Sequence, residues 1–372
     1  MKITCLIDSL GSGGAQRQMC MLASLLKKQG DEVQVMTYFP QDFFAPLLKE
    51  GVVPWRVIPW KNKCHRIFAV RKALRQARPD VVIAYLETPS LMAELATVPA
   101  RPFKLIVSER NTTLSPNAKN RLYYNFHRLA DVVVPNSYSQ QNVLEKVAPY
   151  LKEKTTTILN CVDLEKFHPA YSPLKDNKMR MVVVGSIHPQ KNTLVFLEAL
   201  HDAIRVNQKM EISVDWYGDS TLIDGNEAHN SSYYSQVCQA IKDLSLQEVF
   251  YLHPRTNEIL NVYQEATVFC LPSIYEGCPN VVGEAMACGK PILASNVGDC
   301  EALVKDHENG FLFKSPTKED ITETILKFCD LTPDQKAKMG TASRSRAERL
   351  LSPDILLQGY LEQIKQITKS ES

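Results

Sequence analysis

The sequence predicts an α/β protein with two Rossmann-like, doubly wound domains facing a central cleft. Three observations lead to this prediction. The 372 residues exceed what one hydrophobic core usually holds. Short, nearly continuous apolar runs alternate with segments of helical period, as in βαβ units whose strands are buried on both faces of a parallel sheet. The same alternation starts again at Met179, after a polar stretch punctuated by prolines.

Each half of the chain contributes five predicted strands. They are residues 3–7, 33–36, 81–85, 105–107 and 132–134 in the first half, and 179–184, 212–214, 249–252, 267–271 and 291–294 in the second. The polar stretch at residues 167–178 is the predicted linker, so we expect domains at residues 1–170 and 171–352. Residues 219–234, rich in Asp, Ser, Asn and Gly, predict a loop inserted in the second domain. Residues 353–372 begin with a segment of helical period and form a predicted last helix.

Composition narrows the class of protein. A net charge of +2 with 23% charged residues lacks the basic excess of nucleic-acid binders, so we expect no nucleic-acid partner. Ten scattered cysteines without a C-x-x-C pair favour reduced thiols in the cytoplasm. No apolar run approaches the ~18 residues of a spanning helix, and the first apolar run is too short for a signal peptide. We therefore expect a cytoplasmic protein, at most in contact with the inner face of the cell membrane.

Two glycine-containing turns each follow a predicted strand and open a helix. Residues 11–14 follow the first strand, and Gly13 and Gly14 would let backbone N–H groups approach an anion at the helix N-terminus. A simple tight turn is the alternative. Residues 185–192 open the second half in the same way, with Ser186 in the turn and Lys191 near the start of the helix. Lys191 could neutralise a diphosphate, or it could be an idle solvated lysine.

The strongest local signal lies in residues 271–291. Glu276 follows a predicted strand, and Glu284 lies near the start of the next helix. A carboxylate accepts two hydroxyl hydrogen bonds at once, which suits sugar diols. Backbone N–H groups that suit phosphate oxygens are expected at Asn280, Val281 and Val282. Alternatively, Glu284 merely complements the helix dipole, which leaves the rest of the segment unexplained.

Polar groups also follow two strands of the first half. Glu109 and Arg110 come directly after residues 105–107, and Asn136 follows residues 132–134. Open α/β sheets bind ligands at this carboxyl edge, so these residues are candidates for the site, and Glu109 is a candidate catalytic residue. Each could equally belong to a capping turn.

Together these motifs resemble the retaining glycosyltransferases of family 4, which share the two-domain GT-B fold. The resemblance rests on residues 11–14, 135–137, 160–163 and 185–191, and above all on Glu276 and Glu284 eight positions apart. It implies that Glu284 holds the ribose of a nucleotide sugar, that Glu276 lies against the donor sugar, and that Lys191 binds the diphosphate. It also implies that the last helix, within residues 353–372, packs back on the N-terminal domain.

One position departs from the family pattern. Members commonly carry an arginine directly after the glycine of the second-domain loop, where this sequence has Ser186. Arg255 or Arg110 could supply the missing positive charge.

The resemblance implies a chemistry as well. We expect transfer of a hexosyl or N-acetylhexosaminyl unit from a nucleotide diphosphate sugar to an acceptor hydroxyl, with UDP favoured over GDP by family frequency. Attack from the front face would need no protein nucleophile. We expect no cofactor beyond the donor and no metal, since the D-x-D sequence of metal-dependent transferases does not occur.

The acceptor is expected to be a bacterial cell-envelope polysaccharide or a lipid-linked glycan. Residues 67–78, from Ile67 to Arg78, form a predicted helix with one apolar and one basic face, which could contact an anionic lipid surface. A solvated face of an ordinary Rossmann helix is the alternative.

Four other functions are alternatives. An epimerase or a phosphorylase on the same fold would also bind phosphate and sugar. A nicotinamide-dependent oxidoreductase is disfavoured because Gln16 occupies the last position of G-x-G-x-x-G. An inactive nucleotide-sugar binder has Ser186 as its only support.

Overall fold

The computed structural model describes residues 1–111, 113, 115–170, 178–218 and 227–369, with the backbone alone for 227–231. Its contacts divide the chain into two compact units. Unit 1 comprises Met1–Cys161 and Pro353–Ser372, and unit 2 comprises Val162–Ser352. The division falls nine residues before the predicted boundary at 170, because residues such as Phe167 are buried against unit 2 residues such as Tyr263. Linker residues 171–177 lie outside the described residues.

Unit 1 is built on a six-stranded parallel sheet of order β3-β2-β1-β4-β5-β6. The strands are β1 Lys2–Leu6, β2 Glu32–Thr37, β3 Trp55–Val57, β4 Val81–Tyr85, β5 Lys104–Ser108 and β6 Val132–Val133. The helices are α1 Gly14–Lys28, α2 Ala45–Glu50, α3 Lys63–Ala77, α4 Glu87–Ala96, α5 Ala118–Phe126 and α6 Tyr138–Val147, with 3-10 turns at His127–Leu129 and Pro149–Lys154. Helix α14, Pro353–Lys369, also belongs to this unit and packs Leu356, Tyr360 and Ile364 into the core beside α1.

Unit 2 repeats the plan with the order β12-β11-β10-β7-β8-β9. The strands are β7 Met179–Val184, β8 Ile212–Tyr217, β9 Phe250–His253, β10 Val268–Leu271, β11 Ile292–Ser295 and β12 Gly310–Phe313. The helices are α7 Thr193–Val206, α8 Glu227–Asp243, α9 Ile259–Glu265, α10 Asn280–Ala287, α11 Cys300–Leu303, α12 Lys318–Cys329 and α13 Pro333–Leu351, with a 3-10 turn at Pro189–Lys191. The two-sheet α/β fold is thus confirmed.

The structure differs from the sequence predictions in three elements, namely two strands that were not predicted and one predicted loop. Two edge strands were not predicted. Strand β3 has three residues, of which only Trp55 is half-buried, and β12 is a four-residue apolar run of the same length as β9, β10 and β11. The predicted loop at 219–234 is wrong for residues 227–234, which begin α8, because polar residues are tolerated in a surface helix. Residues 219–226 lie outside the described residues.

The basic helix of residues 67–78 corresponds to most of α3. Val70, Ala73 and Leu74 are buried in the core of unit 1. Arg71 donates to the carbonyl oxygen of Leu95, and Arg75 donates to those of Ala96, Val98 and Ala100. These contacts place cations where α4 ends and its carbonyl groups lack helical partners. They favour the alternative of an ordinary packed helix over a lipid contact. Among the described residues, no helix is long and apolar enough to cross a bilayer.

Candidate active site

An ion pair between Lys191 and Glu276 is the centre of the candidate site in unit 2. Strands β7 and β10 are parallel neighbours, with Met181 opposite Val268, so the loops that follow them leave the same edge of the sheet side by side. One loop carries Lys191 and the other carries Glu276. The Lys191 Nζ atom lies 2.6 Å from Glu276 Oε1, and the two side chains are 17% and 11% exposed. This is the carboxyl edge at which open α/β sheets bind ligands.

Local hydrogen bonds hold the two loops together. Gln190 donates its side-chain N–H to the Tyr275 carbonyl oxygen at 2.9 Å, and its own carbonyl accepts the Ile274 N–H at 2.8 Å. A Cβ on Gly185 would lie 3.2 Å from Lys191 Cε, so glycine leaves room for the lysine chain to reach Glu276. Lys191 is the last residue of the 3-10 turn, and α7 begins two residues after it at Thr193. Ser186 is half-buried in the same loop.

The loop that follows β11 packs against the backbone of Glu276 and Gly277. Gly298 has φ +57°, and a Cβ there would lie 2.2 Å from the Glu276 carbonyl oxygen. Asp299 donates its backbone N–H to the Gly277 carbonyl oxygen at 2.9 Å. Sequence reasoning missed these residues and Gln190. The signal for Gly298 and Asp299 is a Gly-Asp pair in the loop after a buried strand, three residues beyond its end at Ser295.

Glu284 lies in α10, which starts at the carboxyl edge of β10. It is the fifth residue of the helix and only 4% exposed, and its Oε2 accepts a hydrogen bond from the Tyr263 hydroxyl at 3.0 Å. That bond orients the carboxylate, and Tyr263 was not predicted from the sequence. The first turn of α10 carries the N–H groups of Asn280 and Val281, for which the helix itself provides no acceptor.

One predicted donor of α10 is already used. The Val282 N–H donates to the Pro279 carbonyl oxygen at 3.1 Å, so in this structure that N–H group is used at the helix start, and its contact with phosphate stays a prediction. The chain tightens to an i to i−3 bond at the helix start, a common way to satisfy a first-turn N–H group.

In unit 1, the glycine turn before α1 does not need glycine for its backbone angles. Within the described residues, glycines with positive φ are Gly30, Gly289 and Gly298, and Gly13 has φ −82°. The N-cap residue of α1 is Gly13, which has no side chain to cap the helix, and the first turn of α1 contains no acidic residue. A Cβ on Gly13 would lie 2.2 Å from Gln16 Oε1, so a larger residue there would displace the Gln16 side chain. A role of Gly13 and Gly14 in binding an anion stays a prediction.

Glu109 belongs to a buried charge cluster in unit 1. Its Oε1 lies 3.1 Å from His127 Nε2, and His127 Nδ1 lies 2.6 Å from Glu94 Oε1. Burial lowers the pKa of His127, but hydrogen bonds to Glu109 and Glu94 outweigh this and raise it to about 10. Burial raises the pKa of Glu94. The structure thus gives Glu109 a partner inside the unit, while Asn136 bonds Asn160 at 3.5 Å.

Side chains that ligate metals do not cluster in the described part of the chain. No group of three or more His, Cys, Asp or Glu side chains among the described residues is arranged to hold a metal ion.

Arg255, one candidate for the missing positive charge at the position of Ser186, is exposed just after β9.

Two family models match the chain. The model described as Glycosyltransferase Family 4 matches residues 12–166, and the model described as Glycosyl transferases group 1 matches residues 165–346. The chain belongs to glycosyltransferase family 4. Lys191, Glu276 and Glu284 of this glycosyltransferase all lie within the group 1 match.

The glycosyltransferase has relatives among bacterial enzymes. It is 31% identical over 189 residues to the UDP-Gal:alpha-D-GlcNAc-diphosphoundecaprenol alpha-1,3-galactosyltransferase of Escherichia coli, which covers 48% of this chain and 46% of the relative. It is 26% identical over 328 residues to the GalNAc-alpha-(1->4)-GalNAc-alpha-(1->3)-diNAcBac-PP-undecaprenol alpha-1,4-N-acetyl-D-galactosaminyltransferase of Campylobacter jejuni, covering 84% of each chain. The crystal structure of Anabaena HepE in complex with UDP matches with a TM-score of 0.85 at 20% identity, covering 98% of this chain and 100% of that chain. The GT-B fold implied by the motifs is confirmed.

The support of Glu276 by Gly298 can be tested by Gly298→Ala. A Cβ at this position meets backbone and forces a left-handed conformation on alanine, so the loop carrying Glu276 must move. We expect a loss of about 1–3 kcal/mol of unfolding free energy and a drop in kcat of about tenfold or more. Chemical denaturation and steady-state kinetics measure the two effects.

Gly30→Ala is the matched control. Gly30 has φ +104°, but no atom of the described residues lies within 4 Å of an added methyl group, so this variant tests backbone strain without a clash. Its stability should fall while its kcat stays within about twofold of the wild type. Equal losses of kcat in both variants would show that Gly298 has no special link to Glu276.

Proposed function

We propose that this glycosyltransferase moves a hexosyl or N-acetylhexosaminyl unit from a nucleotide diphosphate sugar to an acceptor hydroxyl, with retention of anomeric configuration. UDP is the favoured nucleotide. The observation that carries the proposal is the contact between Lys191 and Glu276 at the carboxyl edge of β7 and β10, where the loop that carries Glu276 leads into α10.

The polar groups at this edge match the parts of such a donor. The Lys191 ammonium offers a positive charge to the diphosphate, and the start of α10 adds N–H groups and the positive end of a helix dipole. Glu276 can accept hydrogen bonds from hydroxyls of the donor sugar. Glu284, oriented by Tyr263, can accept hydrogen bonds from the ribose diol. In the ligand-free protein the Glu276 carboxylate neutralises the Lys191 ammonium. When the donor binds, its diphosphate replaces Glu276 as the anionic partner of Lys191.

The reaction breaks the bond between the anomeric carbon and the β-phosphate oxygen, and it forms a bond from that carbon to the acceptor oxygen. Negative charge grows on the leaving diphosphate, where Lys191 and the α10 N-terminus stabilise it. In front-face attack a phosphate oxygen of the leaving group takes the acceptor proton. Glu276 then acts by holding the sugar, and no protein nucleophile and no metal ion are required.

The proposed acceptor is a lipid-linked glycan of the bacterial cell envelope. The E. coli and C. jejuni relatives are named for acceptors on diphosphoundecaprenol or PP-undecaprenol, which supports this choice. HepE in complex with UDP supports the choice of nucleotide. Action on such an acceptor would take place at the inner face of the membrane.

A thermal-shift screen tests the donor site. Purified protein is measured with UDP, GDP, ADP and their sugar conjugates, beside Glu284→Ala and the exposed control Glu248→Ala. We expect UDP compounds to raise Tm in the wild type and in Glu248→Ala, and to raise it far less in Glu284→Ala. No shift with any nucleotide would contradict a nucleotide-sugar donor.

Product analysis tests the reaction itself. Incubation of the shifting UDP-sugar with a diphosphoundecaprenol-linked saccharide should give an α-linked product, also with excess chelator present. A β-linked product would contradict retention, and loss of activity restored by a divalent cation would contradict metal independence. Binding without any product would support an inactive nucleotide-sugar binder instead.

A further inference from the structure

Arg110 is a buried cation at the carboxyl edge of the unit 1 sheet. It follows β5 and is 9% exposed. Its Cζ lies 4.0 Å from the centroid of the Tyr85 ring. Among the described residues, nothing accepts a hydrogen bond from its buried Nε, Nη1 or Nη2 atoms. A buried guanidinium that leaves its donors unused is costly, and such groups in native proteins call for an explanation.

The adjacent residue Glu109 does not neutralise the Arg110 guanidinium. Side chains that are adjacent along an extended chain point to opposite faces of the sheet. Glu109 points to the face where it binds His127, in contact with Glu94. Arg110 points to the other face, against Tyr85, which shares a core with α1. The two residues therefore serve different partners.

The backbone beside Tyr85 is strained. Leu86 has φ +76° and ψ 157°, a region that is essentially restricted to glycine. Such strain persists only where the surrounding structure imposes it, and it clusters at ligand sites. Here it occurs at the end of β4, one residue after the ring on which Arg110 is stacked.

The helix on the same face of the sheet favours an anion. Strand β1 pairs with β4 in parallel, and α1 starts from the carboxyl edge of β1. The first turn of α1 has no acidic residue, and its N-cap Gly13 has no side-chain cap. The positive end of the α1 dipole and the Arg110 guanidinium thus lie on one face of one sheet edge.

We propose that Arg110 anchors a subsite in unit 1 for a phosphoryl group of a substrate. Stacking on Tyr85 occupies one face of the guanidinium, and the unused donors on its edge have the geometry that binds two phosphate oxygens. This inference rests on the proposed function, whose substrates supply phosphoryl groups from two sources, namely the donor diphosphate and a diphosphate in a lipid-linked acceptor.

Stability separates this role from a structural one. Arg110→Met removes the charge, keeps a long side chain and leaves no donor unsatisfied. The ligand-free variant should unfold at a Tm equal to or above that of the wild type, because no described residue loses a hydrogen bond with the charge. A lower Tm, or failure of the variant to fold, would mean that Arg110 holds the fold together and would overturn the proposal.

Inorganic pyrophosphate tests binding without any turnover. Lys191→Gln serves as the background, so that the site in unit 2 does not contribute. Pyrophosphate should raise the Tm of the Lys191→Gln variant. The increase should be smaller in the double variant that also carries Arg110→Lys, and it should be absent in the double variant that also carries Arg110→Met. Arg205→Gln, at an exposed arginine near the end of α7, should leave the shift intact. A pyrophosphate shift that is independent of Arg110 would overturn the proposal.

Kinetics of Arg110→Met against the wild-type enzyme assign the source of the phosphoryl group. An increase of KM by about tenfold or more for the donor alone assigns it to the donor diphosphate. The same increase for a diphosphate-linked acceptor, but not for an acceptor saccharide without phosphate, assigns it to the acceptor. Unchanged KM for both substrates would overturn the proposal. If the wild type turns over no donor, the proposed function fails while the pyrophosphate measurement still decides the role of Arg110.

Discussion

Replacing Lys191 with glutamine should lower kcat/KM for the donor sugar by about 100- to 1000-fold. The ammonium is the cation that lies against Glu276 in unit 2, and removal of one preorganised stabiliser of developing charge typically has an effect of this size. Most of the loss should fall on kcat, because charge on the leaving diphosphate grows in the transition state. Steady-state kinetics with the donor identified by thermal shift measure it.

Controls distinguish the site from general effects of charge. Lys209→Gln changes an exposed lysine of the same unit and should stay within about twofold of the wild type. Glu276→Gln keeps the ammonium and should lower kcat by itself. Because Lys191 and Glu276 are in contact, the double variant should lose less than the product of the two single losses. A loss below about tenfold in Lys191→Gln would remove this lysine from the mechanism.

Replacing His127 with alanine should lower the free energy of unfolding by about 3–5 kcal/mol. The substitution leaves Glu94 and Glu109 buried in unit 1 without their common cationic partner, and breaking a buried ion pair from one side has a cost of this size. Chemical denaturation at pH 7 measures the change. His307→Asn, at an exposed histidine 3.6 Å from Asp306 whose φ of +64° asparagine tolerates, should change stability by less than about 0.5 kcal/mol. A small effect of His127→Ala would mean that the carboxyl groups are accommodated without the imidazolium.

The same cluster predicts how stability depends on pH. The pKa of His127 is about 10 in the folded protein, against an ordinary value of 6.5. Between these values the folded state holds a proton that the unfolded chain has released, so the contribution of His127 is complete below pH 6.5 and is lost as pH rises through about 10. Denaturation series at pH 7 and pH 10 should show this decline in the wild type and a smaller one in His127→Ala.

Hydrophobic pattern alone was enough to predict most of the fold. The ten predicted strands all correspond to observed strands, because buried parallel strands are continuous apolar runs that few other elements imitate. The edge strand β3 lacks this signature, whereas β12, Gly310–Phe313, is itself an apolar run of four residues. Strand β3 forms because β2 offers it a hydrogen-bonding edge, and such an edge cannot be read from the three residues Trp55–Val57 themselves. The polar start of α8 likewise follows no apolar pattern.

The sequence likewise predicts some features of the candidate site, and only the tertiary structure shows the others. Lys191, Glu276 and Glu284 could be predicted from the sequence, because residue type, spacing and position after a strand are all local properties. The sequence alone also determined the family, since its motifs are read along the chain. Only the tertiary structure decided that Lys191 contacts Glu276, that Gly298 supports the same loop, and that Glu109 binds His127 while Arg110 lacks a hydrogen-bonding partner among the described residues. The physical reason is that strand order brings together loops that are 85 residues apart in the chain, and partners at such distances leave no pattern in a single sequence.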